Sequence, residues 1–229
     1  MSYEAPDHLV VVNHSTLADD KSVALWTEAV RLQLRDAAEA WELPAPGCFF
    51  YGHRTDIPPD EGCVIGIVDD DGNADSAGYH TAIGKLAFGL VDMGQSNVPS
   101  RTLSHEALEM LGNVWLDRWM PGPKGRLYAA ELADACQRDE YTIQVDLFGV
   151  TSQVRVSDFI LPGWFDEASL GKYDYLGLLH APFTNRPGGY HIALDGDEVL
   201  YVAHPEGMAQ HGARIKPLSR TARLMGRRP

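Results

Sequence analysis

The sequence predicts a mixed α+β domain, and three observations carry that reading. Apolar residues make up 45% and charged residues 22% of the 229 positions, which supplies a core and excludes a disordered or low-complexity chain. The periodic segments run strand, helix, several strands, helix, then a β-rich end, with no internal repeat, which is the order of the α+β class. No apolar run approaches the roughly 18 residues of a membrane span, so no membrane-crossing helix is expected.

The elements follow in chain order. Leu9-Val-Val-Val-Asn13 is β-branched and too short for a helix, so it reads as a buried strand. Asp19 and Asp20 open a helical pattern to about Trp41, in which Trp26, Val30, Leu34, Ala37 and Trp41 recur at three- and four-residue steps. Pro44 and Pro46 end it. Residues 48–52 and 63–68 are short apolar strands. The acidic run Asp69-Asp70-Asp71-Gly72-Asn73 lacks the alternate spacing of a calcium loop and reads as a solvated turn. Residues 79–93 form one or two strands. Pro99 and Ser100 precede a second helix to about Trp119. After the loop Pro121-Gly-Pro-Lys-Gly125, residues 127–136 read as a short helix. Residues 141–146 and 153–157 alternate with period two and form a hairpin. Residues 162–209 are rich in loops and aromatics, with strands at 190–194 and 199–202. The chain is thus expected to form one domain over 1–209, with an N-terminal part to about 120 and a C-terminal part from about 121. Residues 210–229 follow as a tail.

Charge divides the chain unevenly. The net charge is −13, yet residues 210–229 hold six basic residues and no acidic one. The acidic body repels nucleic acid, so a nucleic-acid partner is expected only through the tail, which can equally reach a neighbouring subunit. Too few apolar side chains lie there for a core, Leu218, Leu224 and Met225 among them, so the tail is expected to order only against a partner. Cys48, Cys63 and Cys136 are odd in number and widely spaced, so they suggest neither a disulfide framework nor a cysteine zinc site. The first residues lack the basic start and long apolar run of a signal peptide. A reducing, cytoplasmic setting is expected.

The chemistry concentrates in Ser104-His105-Glu106-Ala107-Leu108-Glu109, a His-Glu-x-x-Glu sequence for which chance predicts only ~0.02 copies in this composition. With His105 at 0°, a helix puts Glu109 at about 40° and Glu106 at about 100°, so one imidazole and one carboxylate share a face a turn apart. Ala107, Leu108, Leu111, Val114 and Trp115 fall between about 180° and 300°. That division suits a helix with one face on a core and the other presenting metal ligands. Glu131 follows Glu109 by 22 residues and Asp134 lies three further on. Either can complete the ligand set while the other holds the second imidazole nitrogen of His105.

This part of the chain resembles the zincin metallopeptidases, in the gluzincin layout with a glutamate on the following helix. The longer run from Gly78-Tyr79-His80 through this helix to Glu131-x-x-Asp134 and Val156-Ser-Asp-Phe159 resembles a group of phage and bacterial proteins with zincin-like features, over roughly residues 9–165. The resemblance implies a zincin-like mixed sheet with an active-site helix, a zinc ion on His105, Glu109 and Glu131, and Glu106 as general base. It also implies peptide or protein substrates. The second expectation is a phage structural or assembly protein on the same scaffold, its tail docking neighbouring subunits, in a bacterial or phage-infected cytoplasm or a virion.

The motif departs from two histidines and one carboxylate in a way that matters. One imidazole and two carboxylates leave a dication formally neutral, which acidifies water less. The harder donor set also admits Mn²⁺ or Fe²⁺. His180, Tyr190 and His191 are weaker candidates for an oxyanion donor, Asp158 reads as a loop hydrogen-bonding residue, and His14 and His53 stand near strand ends. No Gly-x-Gly-x-x-Gly, Walker loop or Gly-x-Ser-x-Gly occurs, so nucleotide binding and serine-hydrolase chemistry have no support.

Overall fold

The computed structural model describes residues 3–52, 62–72, 76–84 and 86–205. The basic tail, His53 and the end of the acidic run lie outside them. The five-stranded sheet has the order β2-β1-β3-β5-β4, built from β1 (His8–Asn13), β2 (Gly47–Tyr51), β3 (Cys63–Val68), β4 (Gly78–Ile83) and β5 (Leu86–Asp92). β1 runs parallel to β2 and β3, and β3 parallel to β5, whereas β4 is the antiparallel edge strand. The sheet is therefore mixed and the protein α+β.

Two helices cover one face, α1 (Asp20–Ala40) and α2 (Pro99–Asn113). Leu9 and Val11 of β1 with Ile65 and Ile67 of β3 meet Val30, Leu34, Leu103, Ala107 and Leu111 of the helices in the main core. The strands' alternation sends Val10, Val12 and Val64 into a smaller cluster on the opposite face. Asp19 caps α1 by accepting from the Ser22 amide at 2.7 Å. Pro99 starts α2, where its missing N–H costs nothing. At the other end of α2, Tyr3 Oη donates to the Leu111 carbonyl at 2.7 Å and Arg118 to the Gly112 carbonyl at 3.1 Å, satisfying carbonyls the helix leaves open.

The expected hairpin is β8 (Glu140–Leu147) with β9 (Val150–Ser157), closed by Phe148 and Gly149 at φ 55° and 73°. Two successive positive φ values match the strand twist. Val145, Val154 and Val156 pack on Ala29 of α1, and the Ser157 amide donates to Ser104 Oγ of α2 at 2.6 Å.

The helix expected over 127–136 does not form. Leu127–Ala129 is instead strand β7, hydrogen-bonded to β6 (Trp119–Pro121) on one side and β10 (Tyr190–Asp195) on the other. With β11 (Glu198–Ala203) these make an antiparallel sheet of order β11-β10-β7-β6. Only a single 3₁₀ turn, Asp134–Cys136, remains helical. A Cβ on Gly112 would stand 2.6 Å from the Ala130 carbonyl oxygen and 2.5 Å from Leu132 Cγ, so this segment lies directly on α2. In the described part of the acidic run, 69–72, which is neither helix nor strand, Asp69 accepts from the Thr16 and Leu17 amides. Among the described residues no helix is long and apolar enough to cross a membrane.

Candidate metal centre

Three segments converge on the polar face of the motif. α2 supplies His105, Glu106 and Glu109, the 130–134 segment supplies Glu131 and Asp134, and β4 supplies His80. The polar arc of α2 is consequently covered too: Glu106 is 3% and Glu109 4% exposed, with Glu131 at 3%, Asp134 at 2% and His80 at 6% around them, while His105 is half-buried. Gly78 makes the β4 approach possible, since a Cβ there would stand 2.6 Å from Thr102 Cγ2 and 2.9 Å from Glu106 Oε1.

Within the cluster, His105 Nε2 lies 3.1 Å from Glu109 Oε1 and 3.5 Å from Asp134 Oδ1. Donors around a tetrahedral ion at zinc-like bond lengths stand about 3.4 Å apart, so these three groups fit a cation with little movement. Asp134, rather than Glu131, is thus the acidic group beside His105. Glu131 takes a different position: its Oε1 accepts from Asn113 Nδ2 at 2.9 Å, and its Oε2 lies 3.8 Å from His80 Nε2. His80 Nδ1 is 2.9 Å from Glu109 Oε2 and 3.6 Å from Glu106 Oε2. The two oxygens of Glu109 therefore face different imidazoles. His80 Nε2, Glu106 Oε2 and Asp134 Oδ2 are buried and have no hydrogen-bond partner among the described residues. Native proteins rarely leave such atoms unsatisfied, and here they sit together.

The electrostatics are those of a crowded anionic site. Burial pulls the imidazoles down, but Glu109 and Asp134 outweigh it at His105, holding that ring well above its usual value. Glu106, Glu109 and Glu131 do the same at His80, which is raised to about 10. Burial pushes Glu106 up and Asp134 up to about 8. Burial also acts upward on Glu109, but His105 and His80 beside it hold its carboxyl well below the carboxylate range.

His80 and Asn113 are the residues that reading the motif passed over. His80 stands in the run that carries the resemblance but is given no role there, and its place two residues after Gly78 in a strand puts both on the inward face. The other candidates have other employment. His191 packs between Tyr128 and Trp164 with Nδ1 3.0 Å from Asn185 Oδ1, and burial lowers it to about 4. His14 and His180 are exposed. Asp158 accepts from the Phe159 and Leu176 amides at 2.9 and 3.2 Å, a loop-holding role. No family model matches the chain, and no curated protein matches it.

Proposed function

We propose that the chain is a metal-dependent hydrolase of zincin type acting on peptide bonds, with His105, Glu109 and Asp134 as cation ligands and Glu106 as general base. The observation that carries this reading is the donor triad at 3.1 and 3.5 Å spacing inside a buried cluster that holds unsatisfied polar atoms. A bound divalent ion, zinc or the harder Mn²⁺ or Fe²⁺, supplies Lewis acidity toward a water and a carbonyl. The chain's own groups do the rest. Glu106 follows His105 on α2, and burial raises its proton affinity, which suits a group that takes a proton from the attacking water and returns it to the leaving amine. Glu131, clamped by Asn113, lies 3.8 Å from His80 Nε2, and His80 orients Glu109 through the 2.9 Å contact of Nδ1 with Glu109 Oε2. β4 is the sheet's edge strand and its Gly78 lies against Glu106, so an extended peptide pairing with β4 would run past the carboxylate.

Elemental analysis of the purified protein, joined to a casein or self-cleavage assay, tests this. His105→Ala should lose the bound ion. Glu106→Gln should keep the ion at His105 and lose roughly 10²–10⁴-fold in rate. Wild-type metal content in His105→Ala, or equal activity in Glu106→Gln, would refute the assignment.

A further inference from the structure

We infer that this centre holds two divalent cations bridged by Glu109, the second bound by His80 Nδ1, Glu109 Oε2 and Glu106 Oε2. The inference rests on the reading of the first ion at His105, Glu109 and Asp134. Its starting point is that the carboxylate of Glu109 is shared: Oε1 faces His105 at 3.1 Å and Oε2 faces His80 at 2.9 Å. The second donor set has its own geometry. His80 Nδ1 stands 2.9 Å from Glu109 Oε2 and 3.6 Å from Glu106 Oε2, values that bracket the ~3.0 Å between adjacent donors of an octahedral ion at bonds of about 2.1 Å. Glu106 Oε2, the donor not used by the first ion, is buried and lacks a hydrogen-bond partner among the described residues; binding through it leaves Oε1 as the oxygen that takes the proton.

Charge counting points the same way. An imidazole binds a metal ion only as the neutral ring. Ligand carboxyls likewise bind as carboxylates, so metal would displace the protons that burial favours on Glu106 and Asp134, and with Glu109 and Glu131 the four carboxylates lie at 4% exposure or less. One dication compensates half of that buried charge, and two compensate it fully. Glu131 Oε2 lies 3.8 Å from the far nitrogen of His80, so its charge faces the ring from the side opposite the second ion. The donor set of one nitrogen and two carboxylate oxygens suits Mn²⁺ or Fe²⁺ as well as zinc.

The test loads metal-free full-length protein with Mn²⁺ and reads stoichiometry together with the electron paramagnetic resonance spectrum. Two equivalents with a spin-coupled signal are expected. His80→Gln should leave one equivalent with the signal of an isolated ion, and His105→Gln should do likewise through the other site. One equivalent in the wild type, unchanged in His80→Gln, would overturn the second site and leave the first standing. One equivalent lost in both variants alike would overturn it too, as a single ion shared by both rings. No stoichiometric binding would overturn both readings. The wild-type spectrum alone decides between coupled and isolated ions should a variant fail to fold.

Discussion

Gly112 shows how a single hydrogen atom in place of a methyl group builds the centre. It lies on α2 between Glu109 and Asn113, where a Cβ would meet the backbone oxygen of Ala130 at 2.6 Å. Backbone cannot swing aside as a side-chain tip can, so Gly112→Ala must push away the segment that carries Glu131 and Asp134. Overpacking of this kind costs about 1–3 kcal/mol, and the displaced carboxylate weakens the cation site as well. Urea unfolding and metal titration of Gly112→Ala should both register the change; unaltered metal affinity would mean that Asp134 contributes no ligand. The same residue explains what the sequence could and could not disclose. His105, Glu106 and Glu109 are legible because helical geometry alone relates them. Glu131 and Asp134 are legible as a pair, but which of them lies beside His105 depends on how the 130–134 segment packs on α2, and His80 reaches the cluster only through the contact of β4 with α2; no local spacing encodes either contact.

At the level of elements, hydrophobic periodicity located both long helices and the β8–β9 hairpin, each of which buries a stripe or face that repeats in the sequence. It failed over 127–136, where alanine-rich composition favours a helix but pairing with β6 and β10 supplies hydrogen bonds that a helix would forgo. The hairpin offers a control for the centre. Gly149 has φ 73°, and a Cβ there would meet no atom within 4 Å, so Gly149→Ala bears a conformational cost alone, roughly 1–2 kcal/mol. The turn stands at the end of the hairpin opposite Ser157, which is the end tied to α2 through Ser104. Thermal melting should therefore shift downward in Gly149→Ala while metal content stays at the wild-type value. A loss of metal there would show that the whole hairpin, and not its docked end, supports α2.

For the whole molecule, two buried groups outside the metal centre should bend the dependence of stability on pH in opposite senses. His191 is lowered from 6.5 to about 4 because burial among Tyr128 and Trp164 disfavours its charged form. The unfolded chain then binds the extra proton between those values. The stability from keeping His191 neutral is complete above about pH 6.5 and is lost as pH falls through about 4, a swing of roughly 3 kcal/mol at about 1.4 kcal/mol per unit. Asp158 behaves inversely. Burial, with Asp174 facing it, raises its carboxyl from 3.8 to about 8, while Asp174 accepts from the Leu178 and Leu179 amides at 2.9 Å each. The folded protein therefore holds the proton that the unfolded chain releases, and this contribution is complete below about pH 4 and lost as pH rises through about 8. Urea unfolding at about pH 4.5, 6.5 and 8 separates the two. The stability of the wild type relative to His191→Gln should climb from the first pH to the second and then level. Relative to Asp158→Asn it should decline across all three. A wild type that tracks Asp158→Asn in parallel would mean that the two aspartates share no proton in the folded state, and that the loop from 158 to 179 is held by its backbone bonds alone.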